Sequence, residues 1–368
     1  MLYIAIAKNT VLELSLYAYP VVGGIETQLR YISSMKSKVF DIKIISFLKS
    51  GADRSKLLPN ISYMADYFDS LPVLLKTFIY PPLLFLRGFV FAVNNRNVRV
   101  IHAHGLYPLI AAFFLSKIIR SKLVLTFHML YSPKDFRWLM IKLLADRVDK
   151  MIFISKYMQN YYVSHGVGKA NSQVIYNWAD ETLFYPREKG QCRKNLGLPD
   201  KKIVLYVGRL EEDKGAQLIP LLARRLPKIH FLIVGDGSLY SAIARQCSGL
   251  GNARLLKNIT FTELPPYYSA ADITVVPSIC EEGFSLVAAE SLMCGTPVLG
   301  SNRGSLPEII PENAGAVVEP EVEKMSKAIE TLLNRINQSL SSEASAYALE
   351  RLSSKNLQKL TKLYGELL

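Results

Sequence analysis

Cysteine is scarce in this chain: four in 368 residues, Cys192, Cys247, Cys280 and Cys294, with no paired or metal-clip spacing. Such a set builds neither a disulfide framework nor a zinc site, and it fits small apolar positions in a reducing cytosol. No two aspartates stand as Asp-x-Asp, so a short acidic loop holding a divalent cation is missing as well. Long charge-free runs are absent. The longest charge-free stretch, Val100 to Ser116, contains two histidines and a proline and is too short to cross a bilayer. The amino terminus lacks a secretory pattern, because Lys8 and Glu13 interrupt it and no basic segment precedes its apolar residues. Acidic residues are scarce in one half only. Residues 1–179 carry 22 Lys and Arg against 9 Asp and Glu, residues 180–368 carry 22 of each, and the net charge of +13 therefore lies in the N-terminal half. A basic half is drawn to anionic lipid headgroups or to a phosphorylated ligand. Nucleic acid is the other common anionic partner, but no nucleic-acid module is recognisable, and none is expected to bind.

Half of the residues are hydrophobic and a fifth are charged, a globular composition, and the length suits two domains rather than one core. Apolar strands alternate with amphipathic stretches throughout, which argues for doubly wound α/β layers. Strands are expected at 11–17, 42–47, 100–103, 123–127 and 150–154, and then at 203–207, 230–234, 253–256, 273–276, 298–299 and 316–318. The apolar, aromatic-rich stretch Leu71 to Val93 reads either as a membrane-interfacial patch or as a buried helix-turn-helix, with Pro81-Pro82 barring one continuous helix.

The most informative stretch runs from Pro277 to Pro297, PSICEEGFSLVAAESLMCGTP. A buried strand ends at Pro277-Ser278, and a helix over Leu286 to Met293 stops at Cys294-Gly295. Glu282 thus falls in a strand-to-helix loop, Ser285 takes the N-cap position, and Glu290 sits inside the helix. Free N–H groups at the helix start suit a phosphate. Carboxylates beside a phosphate would repel it, so Glu282 and Glu290 are expected to face hydroxyl donors, such as those on the ribose and sugar of a nucleotide-sugar.

This block resembles the E-x7-E signature of the retaining GT-B glycosyltransferases of the GT4 type (glycosyl transferases group 1). Further matches follow in family order: Pro20 to Glu26 with its Gly23-Gly24 pair, Ile101 to Gly105, Thr126-Phe127-His128, Ile175 to Asp180, Val207 to Leu210 with Lys214-Gly215, Val234 to Gly237 and Gly315 to Val318. The resemblance spans nearly the whole chain, from about Val11 to the C-terminal helix.

The resemblance implies a GT-B fold: two Rossmann-like domains facing across a cleft. Residues 1–180 would bind the acceptor, 181–351 the nucleotide-sugar donor, and 352–368 would return to the first domain. It implies transfer of a sugar, with retention, to an acceptor hydroxyl, and the expected acceptor is a lipid-linked or cell-surface glycan precursor. The place of work would be the inner face of the cytoplasmic membrane, reached through the basic N-terminal half. No metal or other cofactor is expected, because Arg209 and Lys214 would neutralise the leaving diphosphate. Glu282 would hold the donor sugar and Glu290 the ribose. Amides near Gly283, Phe284, Ser285 and Leu286 would cradle the pyrophosphate, and the base would lie near Arg254 to Ile259. Gly23 and Gly24 would allow close backbone approach. His128 would orient the transferred sugar, with His104 beside it and His102 a core-facing neighbour. Two departures stand out: Asn177-Trp178 in place of Asn-Gly, with the indole at the cleft or acceptor entrance, and Asn302-Arg303-Gly304-Ser305, expected to alter loop shape. The alternatives are another GT-B reaction, such as nucleotide-sugar epimerisation or hydrolysis, and a non-catalytic nucleotide-sugar-binding protein.

Overall fold

The computed structural model describes residues 8–21 and 23–368, and the chain divides into two compact units. The first runs to Ile175 and takes back Leu357–Leu368, and the second is Tyr176–Asn356. Residues 1–7 lie outside the described residues.

The first unit holds a parallel sheet of seven strands: β1 (Asn9–Tyr17), β2 (Phe40–Leu48), β3 (Ile61–Ala65), β4 (Val98–His104), β5 (Lys122–Phe127), β6 (Lys150–Phe153) and β7 (Ser172–Val174), in the order β3-β2-β1-β4-β5-β6-β7. The second unit holds six: β8 (Ile203–Val207), β9 (His230–Val234), β10 (Ala253–Leu256), β11 (Ile273–Val276), β12 (Val298–Ser301) and β13 (Gly315–Val318), in the order β10-β9-β8-β11-β12-β13. Strands such as ITVV and FLIV are buried on both faces, as the middle of a parallel sheet requires. The strand order reverses between β1 and β4 in one sheet and between β8 and β11 in the other. That reversal opens a ligand crevice at the C-terminal strand ends, and the loops after β1, β8 and β11 carry the glycine pair, Arg209 with Lys214, and Glu282.

The sequence reading missed β3 and β7. Both are outer strands of their sheet, so neither carries an apolar run: SQV is only half buried throughout.

Helix α1 spans Gly24–Ser33, α2 Val73–Asn94, α3 Leu106–Ile119 and α4 Arg137–Leu144. The expectation that Pro81-Pro82 bars a continuous helix over Leu71 to Val93 fails, since α2 runs unbroken through both prolines. Two prolines forgo two backbone hydrogen bonds, and packing outweighs that loss. One face of α2, with Tyr80, Leu84 and Ala92, is fully buried. Gly88 brings α2 so close to α3 that a Cβ there would stand 2.8 Å from Leu115 Cδ2. The opposite face exposes Leu75, Phe78, Leu86, Val90 and Val93, so α2 is neither a buried hairpin nor wholly a surface patch. By length and composition α2 could cross a membrane. Its buried face instead makes it a layer helix of this unit.

The C-terminal helix Lys355–Leu367 packs within the first unit, where Tyr364 is fully buried with its ring edge-on to Phe40 at 5.7 Å.

Candidate active site

In the second unit, the loop leaving β8 meets the loop leaving β11. Gly215 has φ +69°, and a Cβ there would fall 2.0 Å from the Pro277 carbonyl oxygen. Glycine is thus required on both conformational and steric grounds. The contact brings Lys214 Nζ to 2.7 Å from Glu282 Oε1, and Ser278 donates its hydroxyl to the same oxygen at 2.5 Å. Burial opposes the Lys214 ammonium, but the Glu282 carboxylate more than compensates, and the lysine pKa rises above its usual value. The loop leaving β12 clamps Glu282 from the other side. Gly304, at φ +60°, lies where a Cβ would stand 2.2 Å from the Glu282 carbonyl oxygen, and Ser305 N–H donates to that oxygen at 2.8 Å. The sequence reading gave Ser278 no part in the site and Gly304 only an effect on loop shape. The positive φ and the contact across loops were the missing signals, and neither is visible in one dimension.

Arg209 sits apart from this pair. Its side chain is 64% exposed and pairs with Asp213 at 3.4 Å. Ser285 caps the Leu286–Met293 helix by accepting from Ala288 N–H at 3.3 Å. The amides of Leu286 and Val287 then precede any intrahelical acceptor and face outward from the helix start. Gly283 and Phe284 lead into that turn, and the Phe284 ring lies 6.4 Å from that of Tyr176. Glu290 is 5% exposed and accepts from the Tyr268 hydroxyl at 2.7 Å. Burial pushes its pKa up to about 8, against the hydroxyl's opposing effect, so at neutral pH it carries a proton. Trp178 is buried, 4% exposed, rather than standing at an entrance.

In the first unit, Gly23 precedes α1 and Gly24 opens it. The Gly23 backbone is extended, so its conformation does not demand glycine. A Cβ there would meet the Glu26 carboxylate at 2.2 Å. His128 follows β5 and joins a buried network. Its Nε2 lies 2.9 Å from His104 Nδ1, and His104 Nε2 lies 2.6 Å from Glu13 Oε2. Tyr364 donates to Glu13 Oε1 at 2.5 Å. His102 Nδ1 is 2.6 Å from the Tyr364 hydroxyl, and His102 Nε2 is 2.7 Å from Thr126 Oγ1. The reading of His102 as a core neighbour distinct from His104 needs correction. Residues two apart on a strand share a face, and the two rings lie 4.3 Å apart, both buried. Glu13, which no motif suggested, is fully buried at the centre. Burial alone would raise its pKa, yet His102 and His104 hold it below the ordinary carboxylate range. Glu13, His102 and His104 have the donor types of a metal site, with ligand atoms within 4.8 Å of one another. Here those atoms bond to each other, and a nitrogen donating to a carboxylate has no lone pair for a cation.

The pattern of Glycosyltransferase Family 4 matches residues 22–183, and that of Glycosyl transferases group 1 matches residues 188–350. A D-inositol 3-phosphate glycosyltransferase of Mycobacteroides abscessus is 31% identical over 241 residues, which cover 60% of this chain and 52% of the relative. A sulfoquinovosyl transferase of Arabidopsis thaliana is 24% identical over 326 residues, covering 83% of this chain and 62% of the relative. The chain thus spans about half to three-fifths of the length of these relatives. Among solved structures, sucrose-phosphate synthase from Thermosynechococcus elongatus superposes with a TM-score of 0.83 at 24% identity, covering 98% of this chain and 99% of that one. Anabaena HepE in complex with UDP gives 0.81 at 21% identity, covering 97% and 100%. The two family patterns, lying end to end along two doubly wound units, place this chain among the GT-B glycosyltransferases related to group 1 and family 4.

Proposed function

We propose that the protein transfers a sugar from a nucleoside-diphosphate sugar to an acceptor hydroxyl, with retention and without a metal ion. The observation that carries this reading is the Lys214–Glu282 pair, clamped at the strand ends beside the open amides of the Leu286–Met293 helix. Cation and helix N-terminus together match the diphosphate of such a donor, and the carboxylate matches its sugar hydroxyls. HepE has also been solved with UDP-glucose, which supports the same donor class here.

In this mechanism the leaving diphosphate gains negative charge as the glycosidic bond breaks. Lys214 turns from Glu282 to the phosphate, and Arg209, exposed and paired with an exposed aspartate, swings in beside it. Glu282, released, accepts from sugar hydroxyls. Glu290 gives up its proton to solvent and accepts from the ribose diol. Gly23 and Gly24 let the backbone approach the donor, and His128 orients the transferred sugar. The acceptor is proposed to be a lipid-linked or cell-surface glycan precursor, met at the inner face of the cytoplasmic membrane. Support for that comes from the +13 charge held in residues 1–179 and from the exposed apolar face of α2.

Thermal-shift screening against UDP-, GDP- and ADP-sugars tests the donor class, and at least one should raise Tm by several degrees. Transfer with that donor should persist in EDTA. It should fall about a hundredfold or more in Arg209→Ala and Lys214→Ala, the usual scale for one charge-stabilising donor. Full activity in either variant, or activity that needs added metal, would overturn the assignment. Products formed without acceptor would show epimerisation or hydrolysis instead.

A further inference from the structure

We propose that Glu13 and His104 are positioning residues that fix the tautomer of His128, so that its Nδ1 presents a lone pair to a hydroxyl of the bound substrate. The inference rests on the reading above that His128 faces the transferred sugar.

Glu13 is surrounded by three hydrogen-bond partners. Tyr364 O–H is 2.5 Å from Oε1, His104 Nε2 is 2.6 Å from Oε2, and His102 Nδ1 is 3.1 Å from Oε2. An ionised carboxylate only accepts, so each partner must supply the hydrogen. His104 therefore carries its proton on Nε2. Burial and the neighbouring His102 lower the His104 pKa, which leaves the ring neutral and its Nδ1 a lone pair. That lone pair faces His128 Nε2 at 2.9 Å, so His128 must donate from Nε2. Burial, then His104 and His102, hold the His128 pKa well below its usual value. With one proton, already on Nε2, its Nδ1 is an acceptor. Among the described residues that Nδ1 is a buried atom with no hydrogen-bond partner. A buried polar atom left unpaired is destabilising, and such an atom is where a ligand hydroxyl completes the set. His102 serves the same end from the side. Its Nδ1–H points to Glu13 and Tyr364, its Nε2 accepts from Thr126, and it competes for no hydrogen in the chain.

The experiment is imidazole 15N–1H correlation NMR on histidine-labelled protein without donor. The chain has five histidines, and the His128 signals are assigned by their loss in His128→Asn. The unaltered protein should show a pyridine-type Nδ1 and a pyrrole-type Nε2 at His128. In Glu13→Gln the side-chain amide can donate to His104 Nε2, which moves the proton to His104 Nδ1 and inverts His128. Its Nδ1 then becomes pyrrole-type. A protonated Nδ1 in the unaltered protein, which needs no variant to fold, overturns the proposal. So does an unchanged His128 pattern in a Glu13→Gln protein of native circular dichroism. In turnover, Glu13→Gln should lower kcat about tenfold or more while UDP affinity by calorimetry stays the same, and an unchanged kcat overturns the functional half. A protein with the expected tautomers that moves no sugar from any nucleotide-sugar would instead sink the transferase reading and leave the hydrogen-bond chain standing.

Discussion

Glu290 shows how one buried carboxyl links stability, pH and ligand. Its pKa of about 8 in the folded protein stands above the usual 4.5. The folded state therefore binds a proton that the unfolded state releases between those values. Stability from this group is complete below the unfolded pKa and is lost as pH rises through about 8. At roughly 1.4 kcal/mol per unit, the loss approaches about 5 kcal/mol by pH 9. Glu290→Gln keeps an acceptor for the Tyr268 hydroxyl and cannot ionise. Its Tm should match the unaltered protein near pH 5 and exceed it by several degrees at pH 9, in paired melting curves. Nucleotide binding adds the second half. If ribose hydroxyls donate to the ionised form, as proposed, binding releases protons at pH 7, and Glu290→Gln should abolish that release. Calorimetry in buffers of differing ionisation enthalpy reads it directly. Equal proton release in both proteins would remove Glu290 from the ribose site.

Loops joining strands to helices carry the candidate site, and their shape depends on two glycines. Gly215 and Gly304 each hold a positive φ and each touch backbone that a Cβ would strike, Pro277 in one case and Glu282 in the other. Gly304→Ala should displace the Glu282 loop and cut transfer by about tenfold or more, with a stability loss of roughly 1–3 kcal/mol by denaturant unfolding. A fully active Gly304→Ala protein would show that the clamp is dispensable. Central strands were legible in the sequence because burial on both faces writes continuous apolar runs, as in β8 and β11. The N-cap at Ser285 was legible because capping is local chemistry. Edge strands β3 and β7 were not, since half-exposed strands resemble loops. Nor was α2, where a local rule about proline yielded to burial of Tyr80, Leu84 and Ala92 against the rest of its unit. The Lys214–Glu282 contact joins residues 68 positions apart, and the Glu13 network joins β1 to the C-terminal helix. No spacing rule reaches that far.

Across the whole molecule, charge and apolar exposure coincide in the N-terminal half. The excess of +13 belongs to residues 1–179. The same half exposes Phe78 at 70% and Leu86 at 58% on α2, Phe114 and Ile118 on α3, and Leu139 and Leu143 on α4. Helix α2 packs on α3, and α3 on α4, so these side chains belong to neighbouring helices. Lys76, Arg87, Lys117 and Lys142 lie on the same three helices. Apolar side chains beside lysine and arginine suit an anionic bilayer interface, where each basic residue near the surface contributes about 1 kcal/mol. The protein should co-sediment with vesicles rich in phosphatidylglycerol and bind neutral phosphatidylcholine vesicles far more weakly. Raising salt from 0.1 M to 1 M shortens the screening length from about 10 Å to about 3 Å and should release most of it. Phe78→Glu with Leu86→Glu should reduce vesicle binding about tenfold or more with little change in Tm, because both side chains already face water. Binding that ignored lipid charge, salt and both substitutions would leave the basic half to a soluble phosphorylated acceptor.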